Sequence, residues 1–193
     1  MTRVMTRICL AAVCLVTVLQ SMVMLVGVAS AQEAMSPAAT HEHAVLKNDV
    51  GTWDATMKIY SLPGEEPAVS EATETNELLP GGIWLLSNFE GEIMGMPFSG
   101  HGVTGYDPVE KKYVGTWVDS MSPNMMRMEA EYDPATKTMT GYGEGRDPAS
   151  GEMIKNKQIS RTIDDDTRTF EMLMPDGEGG YQKMMEVEYT RRK

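Results

Sequence analysis

The sequence predicts an all-β domain: a single antiparallel up-and-down β-barrel of about ten strands with a short N-terminal helix. Three observations carry this. From Gly51 onward apolar residues recur at every second position, the period of a half-buried strand. Gly, Pro and Asp clusters punctuate that pattern at short intervals. No long helical period follows, which excludes strand–helix–strand crossovers and leaves hairpins as the connections. Closing such a meander removes its exposed edges. A ten-stranded barrel is wide enough to leave a cavity unless large side chains fill it.

The 193-residue chain opens with Arg3 and Arg7, runs apolar from Ile8 to Val28 and reaches Ala29-Ser30-Ala31. A basic start, an apolar stretch and a small-x-small site read as a signal peptide over residues 1–31, with export to a periplasmic or secreted location. An uncleaved anchor helix is the alternative, but Thr17, Gln20, Ser21 and Gly27 dilute the run. After cleavage, no stable membrane insertion is expected. Cys9 and Cys14 leave with the leader, so the mature chain has no disulfide and no thiolate chemistry. The leader holds two of the 17 Lys and Arg and none of the 28 Asp and Glu, which leaves a net charge of −13. So acidic a chain repels phosphate backbones and anionic lipid, so no nucleic-acid partner is expected.

Residues 32–45 read as a flexible start leading into a short helix, with the barrel over 46–193. Thr40 is placed to cap that helix, which runs to about Asn48 with Ala44 and Leu46 inward. Trp53, Ala55, Met57 and Ile59 then alternate with polar residues in the first strand. Val69–Leu78 is a polar, Thr-rich strand, ended by Pro80-Gly81-Gly82. Ile83–Ile93 and Phe98–Tyr106 follow, then Lys112–Met121, Met125–Tyr132, Thr138–Gly145, Glu152–Ile163, Thr167–Met174 and Tyr181–Arg191.

Three turns share one pattern: Asp107-Pro108 before Lys111, Asp133-Pro134 before Lys137, and Asp147-Pro148 before Gly151. Asp accepts from its own backbone two residues on, and Pro presets φ for a type I turn. The residue four after each Asp then turns left-handed, at no cost for Gly151 and with some strain for Lys111 and Lys137.

Gly51-Thr52-Trp53 resembles the Gly-x-Trp signature of lipocalins and other calycins, in which an Arg near the C-terminus packs across the Trp. That resemblance implies a structural role for Gly51, Trp53 and Arg191. Further motifs are Leu79-Pro80-Gly81-Gly82, Gly95-x-Pro97-Phe98-x-Gly100, Gly105-Tyr106-Asp107 and Trp117-Val118-Asp119-Ser120-Met121. With them, Leu46 to Arg192 resembles a secreted bacterial family of unknown function (DUF1579-like). The resemblance implies a lipocalin/calycin-like barrel and no established activity, so it supplies no catalytic residues.

Candidate chemistry centres on Trp117-x-Asp119-x-Met121. On one strand these side chains share a face, and an inward Asp119 in an apolar barrel is expected to have a raised pKa. At the strand end, Asp119 can instead bond loop amides. Met126, Met128 and Tyr132 offer a neighbouring apolar face. Trp117, Met121, Met126, Met128 and Tyr132 are therefore the expected lining for a small apolar ligand, with Asp119 orienting a polar group. An enzyme using Asp119 as acid or base, and a structural or partner-binding barrel with a filled core, are the alternatives.

Gly141, Gly143 and Gly145 leave one strand face bare, as do Gly100 and Gly102, so either a bulky neighbour such as Trp117 or a ligand must cover them. The 14 methionines beyond the leader suit adaptable apolar packing better than a copper site. His41-Glu42-His43 lacks metalloprotease spacing and lies near a mobile terminus; His101 is placed on a surface or rim. No metal and no cofactor is expected. Oligomeric state is not encoded in any of these patterns.

Overall fold

The computed structural model describes residues 39–61, 65–147 and 150–193; the leader, its cleavage site and the start of the mature chain lie outside the described residues. Ala39–Lys193 forms one compact unit. A 3-10 helix, Glu42–Asp49, precedes the strands β1 (Gly51–Ile59), β2 (Ala68–Leu78), β3 (Trp84–Ile93), β4 (Met96–Asp107), β5 (Lys112–Asp119), β6 (Ser122–Asp133), β7 (Thr138–Arg146), β8 (Met153–Thr162), β9 (Thr167–Pro175) and β10 (Tyr181–Arg191). These ten strands, counted among the described residues, close into an antiparallel barrel in which each pairs with its sequence neighbour and β10 returns to β1.

Turn chemistry fixes the hairpins as the sequence predicts. Asp107 Oδ1 accepts from the amides of Val109 and Glu110 at 2.8 and 3.1 Å, and Asp133 Oδ1 from Ala135 at 2.9 Å. Asp147 Oδ1 accepts from Ser150 N at 2.7 Å. Lys111, Lys137 and Gly151 take φ values of 57°, 51° and 73°, the left-handed exit from each turn. The β3–β4 hairpin is tighter: Met94 and Gly95 both have positive φ (53° and 77°), which matches a two-residue loop to the twist of the strands.

The 3-10 helix covers the end of the barrel where β1 begins, packing against β2, β3 and β4. Its Leu46 is fully buried beside Leu85 and Tyr113, and Tyr113 Oη donates to Glu42 O at 2.8 Å. Two expectations here are corrected. Ala44 is exposed, and His43 with Leu46 is buried, because the threefold turn puts residues three apart on one side. Thr40 gives no helix cap; its hydroxyl and amide both meet His43 Nδ1, at 2.9 and 3.0 Å. His43, read from sequence as lying near a mobile terminus, is held edge-on to Tyr106.

A further correction concerns β5. The expected strand to Met121 stops at Asp119, and β6 starts at Ser122 rather than Met125. A bulge between Trp117 and Asp119 shifts the pairing so that Asp119 faces Ser122, and Ser120-Met121 becomes a two-residue turn. Met121 therefore does not share a strand face with Trp117.

Candidate functional site

Register decides which side chains enter the barrel. Paired residues on neighbouring strands share a face, so the inward Trp53 of β1 brings Glu74 of β2 and Arg191 of β10 inward with it. The same rule turns Gly102 and Trp117 inward on β4 and β5, and Met126, Gly143 and Asn156 on β6 to β8. The inward residues of β1, β2, β3 and β10 pack into a core of Trp53, Ala55, Met57, Ala72, Phe89, Val187 and Tyr189. The opposite wall is thinner, and a cavity of about 450 Å³ remains.

Five expected ligand-lining residues border this cavity: Trp117, Asp119, Met121, Met126 and Met128. Tyr132 does not. It lies inward but at the helix-covered end, edge-to-face with Tyr113 and packed against the cluster of Leu46, Leu85 and Tyr113. Met121 reaches the cavity from its turn, at the end away from the 3-10 helix.

The bare glycine faces are covered by neighbours. A Cβ on Gly100 would overlap the Trp117 ring, and on Gly102 it would lie 3.3 Å from Trp117 Cε3. Gly141 lies so close to β6 that a Cβ would overlap the carbonyl of Glu129. At Gly143 the same atom would lie 2.6 Å from both Met126 Sδ and Gln158 Nε2. The glycines of β4 and β7 thus let Trp117 and Met126 lie flat against the sheet and leave the centre open.

Asp119 serves the turn. Its Oδ1 accepts from the amides of Met121 and Ser122, each at 2.9 Å, and its Oδ2 from Trp117 Nε1 at 3.1 Å. One carboxylate thereby closes the β5–β6 hairpin and fixes the indole plane over the glycines. Asp119→Ala strands all three donors and is expected to lower stability by about 1–2 kcal/mol. Urea unfolding measures this; an unchanged midpoint would show that the turn holds without the carboxylate.

Gly51, Trp53 and Arg191 come together as the signature implies. The Arg191 guanidinium lies 4.0 Å from the Trp53 ring centroid and donates to the carbonyls of Asn48 (2.8 Å), Val50 and Asp165 (2.7 Å). A Cβ on Gly51 would lie 2.8 Å from Arg191 Nη1, so the glycine makes room for the arginine. Arg192 turns outward to Asp54.

Sequence reading missed a buried polar cluster at the inner end of the cavity. Arg168 is 8% exposed and Glu74 is 7% exposed; Arg168 Nη2 and Glu74 Oε1 are 2.6 Å apart. Asp49 Oδ1 stands 3.6 Å from Arg168 Nη1. Asn76 Nδ2 donates to Glu74 Oε1 (2.7 Å) and Asp49 O (3.0 Å), and Trp53 Nε1 also donates to Asp49 O, at 2.8 Å. The Arg168 guanidinium lies 4.0 Å from the Tyr189 ring centroid and 4.7 Å from that of Trp53. Burial pushes the Asp49 carboxyl above its ordinary pKa, against the pull of Arg168. Burial also pushes the Tyr189 phenol well up, helped by the charge of Glu74. Burial lowers the Arg168 pKa, but Glu74 and Asp49 outweigh it, so the guanidinium stays charged.

A second polar group lines the β7–β8 wall: Gln158 Nε2 donates to Asn156 Oδ1 at 3.0 Å, and both amides approach Met126 Sδ, at 3.4 and 3.7 Å. Alternation offered a signal for both groups. Arg168 precedes the apolar series Phe170, Met172, Met174 by two residues, and Glu74 and Asn76 lie in step with Ala72 and Leu78.

Among the described residues no group of three or more His, Cys, Asp or Glu is placed to hold a metal ion. No described helix is long and apolar enough to cross a membrane. His101 is exposed on β4, with Nδ1 2.7 Å from Asn88 Oδ1.

Two solved barrels resemble the chain. Rv2717c from M. tuberculosis superposes with a TM-score of 0.60 at 15% identity, over 81% of this chain and 100% of that one. The S-type phycobiliprotein lyase CPES from Guillardia theta gives 0.50 at 11% identity, over 80% and 94%. At such identities the likeness is one of fold. No curated protein matches. A family model described as "Protein of unknown function (DUF1579)" matches residues 38–191.

Proposed function

The chain belongs to that family of unknown function, DUF1579, and on this premise we propose that it is an exported carrier that holds a small, largely apolar molecule inside its barrel. The observation that supports this reading is the cavity of about 450 Å³ within a closed β-barrel, in the size range of small-molecule sites. Its walls include seven Met, three Phe and Trp117, side chains that exclude water and adapt to an apolar guest. A filled-core barrel fits the cavity poorly. The enzymatic reading loses its acid–base residue, because both oxygens of Asp119 already hold turn and indole N–H groups. The fold shared with a phycobiliprotein lyase is compatible with a small guest. Export rests on the basic and apolar leader that ends at Ala31.

Native mass spectrometry of protein recovered from its own cell envelope tests both parts. The expected species begins at residue 32 and carries a small apolar molecule. A bare mass with no shift on exposure to lipids, together with no binding of the apolar fluorophore N-phenylnaphthylamine, would overturn the carrier reading. A retained leader would overturn cleavage.

A further inference from the structure

We propose that the cavity selects guests whose buried end is neutral and hydrogen-bonding, an alcohol or carboxamide head on an apolar body, over carboxylates of the same length. This rests on the carrier reading and names its ligand class.

Charge carries the inference. Asp49, Glu74, Asn76 and Arg168 all border the inner end of the cavity. The guanidinium is already neutralised by Glu74 at 2.6 Å, with Asp49 a further 3.6 Å neighbour. One cation thus faces two carboxyl groups. With Asp49 protonated the cluster sums to zero; with it ionised the cluster is negative. In neither state do the charged groups that border the cavity have positive charge to spare; Arg191, which also acts on Asp49, does not border it. A carboxylate head entering here would be a buried, unpaired anion beside Glu74, in surroundings where water and salt screen little.

Hydrogen bonding points the same way. Arg168 Nε, a donor, and Asn76 Oδ1, an acceptor, are buried and have no partner among the described residues. The network fixes the Asn76 amide orientation, because its nitrogen already donates to two oxygens. Such groups are costly to leave unmade. A hydroxyl or a carboxamide can donate and accept at once, which a carboxylate cannot. The apolar body then lies toward Phe89, Trp117 and Met128, which border the same cavity.

Displacement of bound N-phenylnaphthylamine by decanol, decanamide, decanoate and decane at neutral pH tests this on the wild-type mature protein. Decanol and decanamide should displace the dye at about tenfold lower concentration than decanoate, and lower than decane. Glu74→Gln frees the charge of Arg168 and should shift the ratio toward decanoate by about tenfold. Decanoate matching decanol in the wild type overturns the proposal, as does decane matching decanol. Dye binding that none of the four disturbs also overturns it while leaving a cavity that takes apolar guests. Failure of the dye itself to bind, together with a bare mass that does not shift on exposure to lipids, overturns the carrier reading beneath. The wild-type comparison stands even if Glu74→Gln does not fold.

Discussion

Arg168→Met is expected to destabilise the barrel by about 3–5 kcal/mol, the cost of leaving a buried carboxylate without its cation. Glu74 is 7% exposed, and its Oε1 is held by Arg168 and Asn76. With the guanidinium gone, the neutral donors Asn76 and Tyr189 cannot offset the desolvation of a full charge. Methionine fills much of the arginine's volume, so a void contributes little. Urea unfolding monitored by tryptophan fluorescence measures the change. The double variant Arg168→Met/Glu74→Gln should recover most of the loss, because it removes both charges together. A single-variant cost below about 1 kcal/mol would mean that Glu74 finds water or a proton without strain.

Trp53→Leu is expected to cost about 3–5 kcal/mol as well, for a different reason. Trp53 is 1% exposed and packs within the main cluster. Shortening it opens a void that a closed sheet relaxes into only partly. It also takes from Asp49 O the indole N–H at 2.8 Å, and removes the ring that both Arg168 and Arg191 lie over. The 3-10 helix ends at Asp49, so its attachment should weaken with the barrel. Faster hydrogen exchange at residues 42–49 would report that loosening; protection equal to wild type would show that Leu46 and Tyr113 hold the helix unaided. Because Trp53 and Arg168 are in contact, the double variant should cost less than the sum of its parts by about 0.5 kcal/mol or more.

The two variants act on the cluster that was least visible in the sequence. Strand-by-strand alternation puts Phe170 and Met172 on one face and Arg168 in step with them, but nothing local to Arg168 marks it as buried. Glu74 was hidden in the same way, inside a segment legible only as a polar, Thr-rich strand. Each is an ordinary charged residue by itself, and only pairing across the barrel makes both buried. Asp119 shows the converse. Its place beside Trp117 suggested a cavity acid, and a two-residue register shift in the β5–β6 pairing made it the anchor of a turn.

By itself the sequence determined the fold: ten segments of period two, Asp-Pro and Gly turns at their joints, and a Gly-x-Trp start are local signals, legible because each depends on residues a few positions apart. It also marked the sites where glycine had to make room, and Trp117 as the residue able to cover them. The tertiary structure alone decided what the interior contains. Whether Trp117 and Met126 fill the barrel or lie along its wall depends on register between strands, and so does the meeting of Glu74 with Arg168, 94 positions apart. Burial, and with it the cost of every charge in the cavity, is a property of the closed sheet and not of any segment within it.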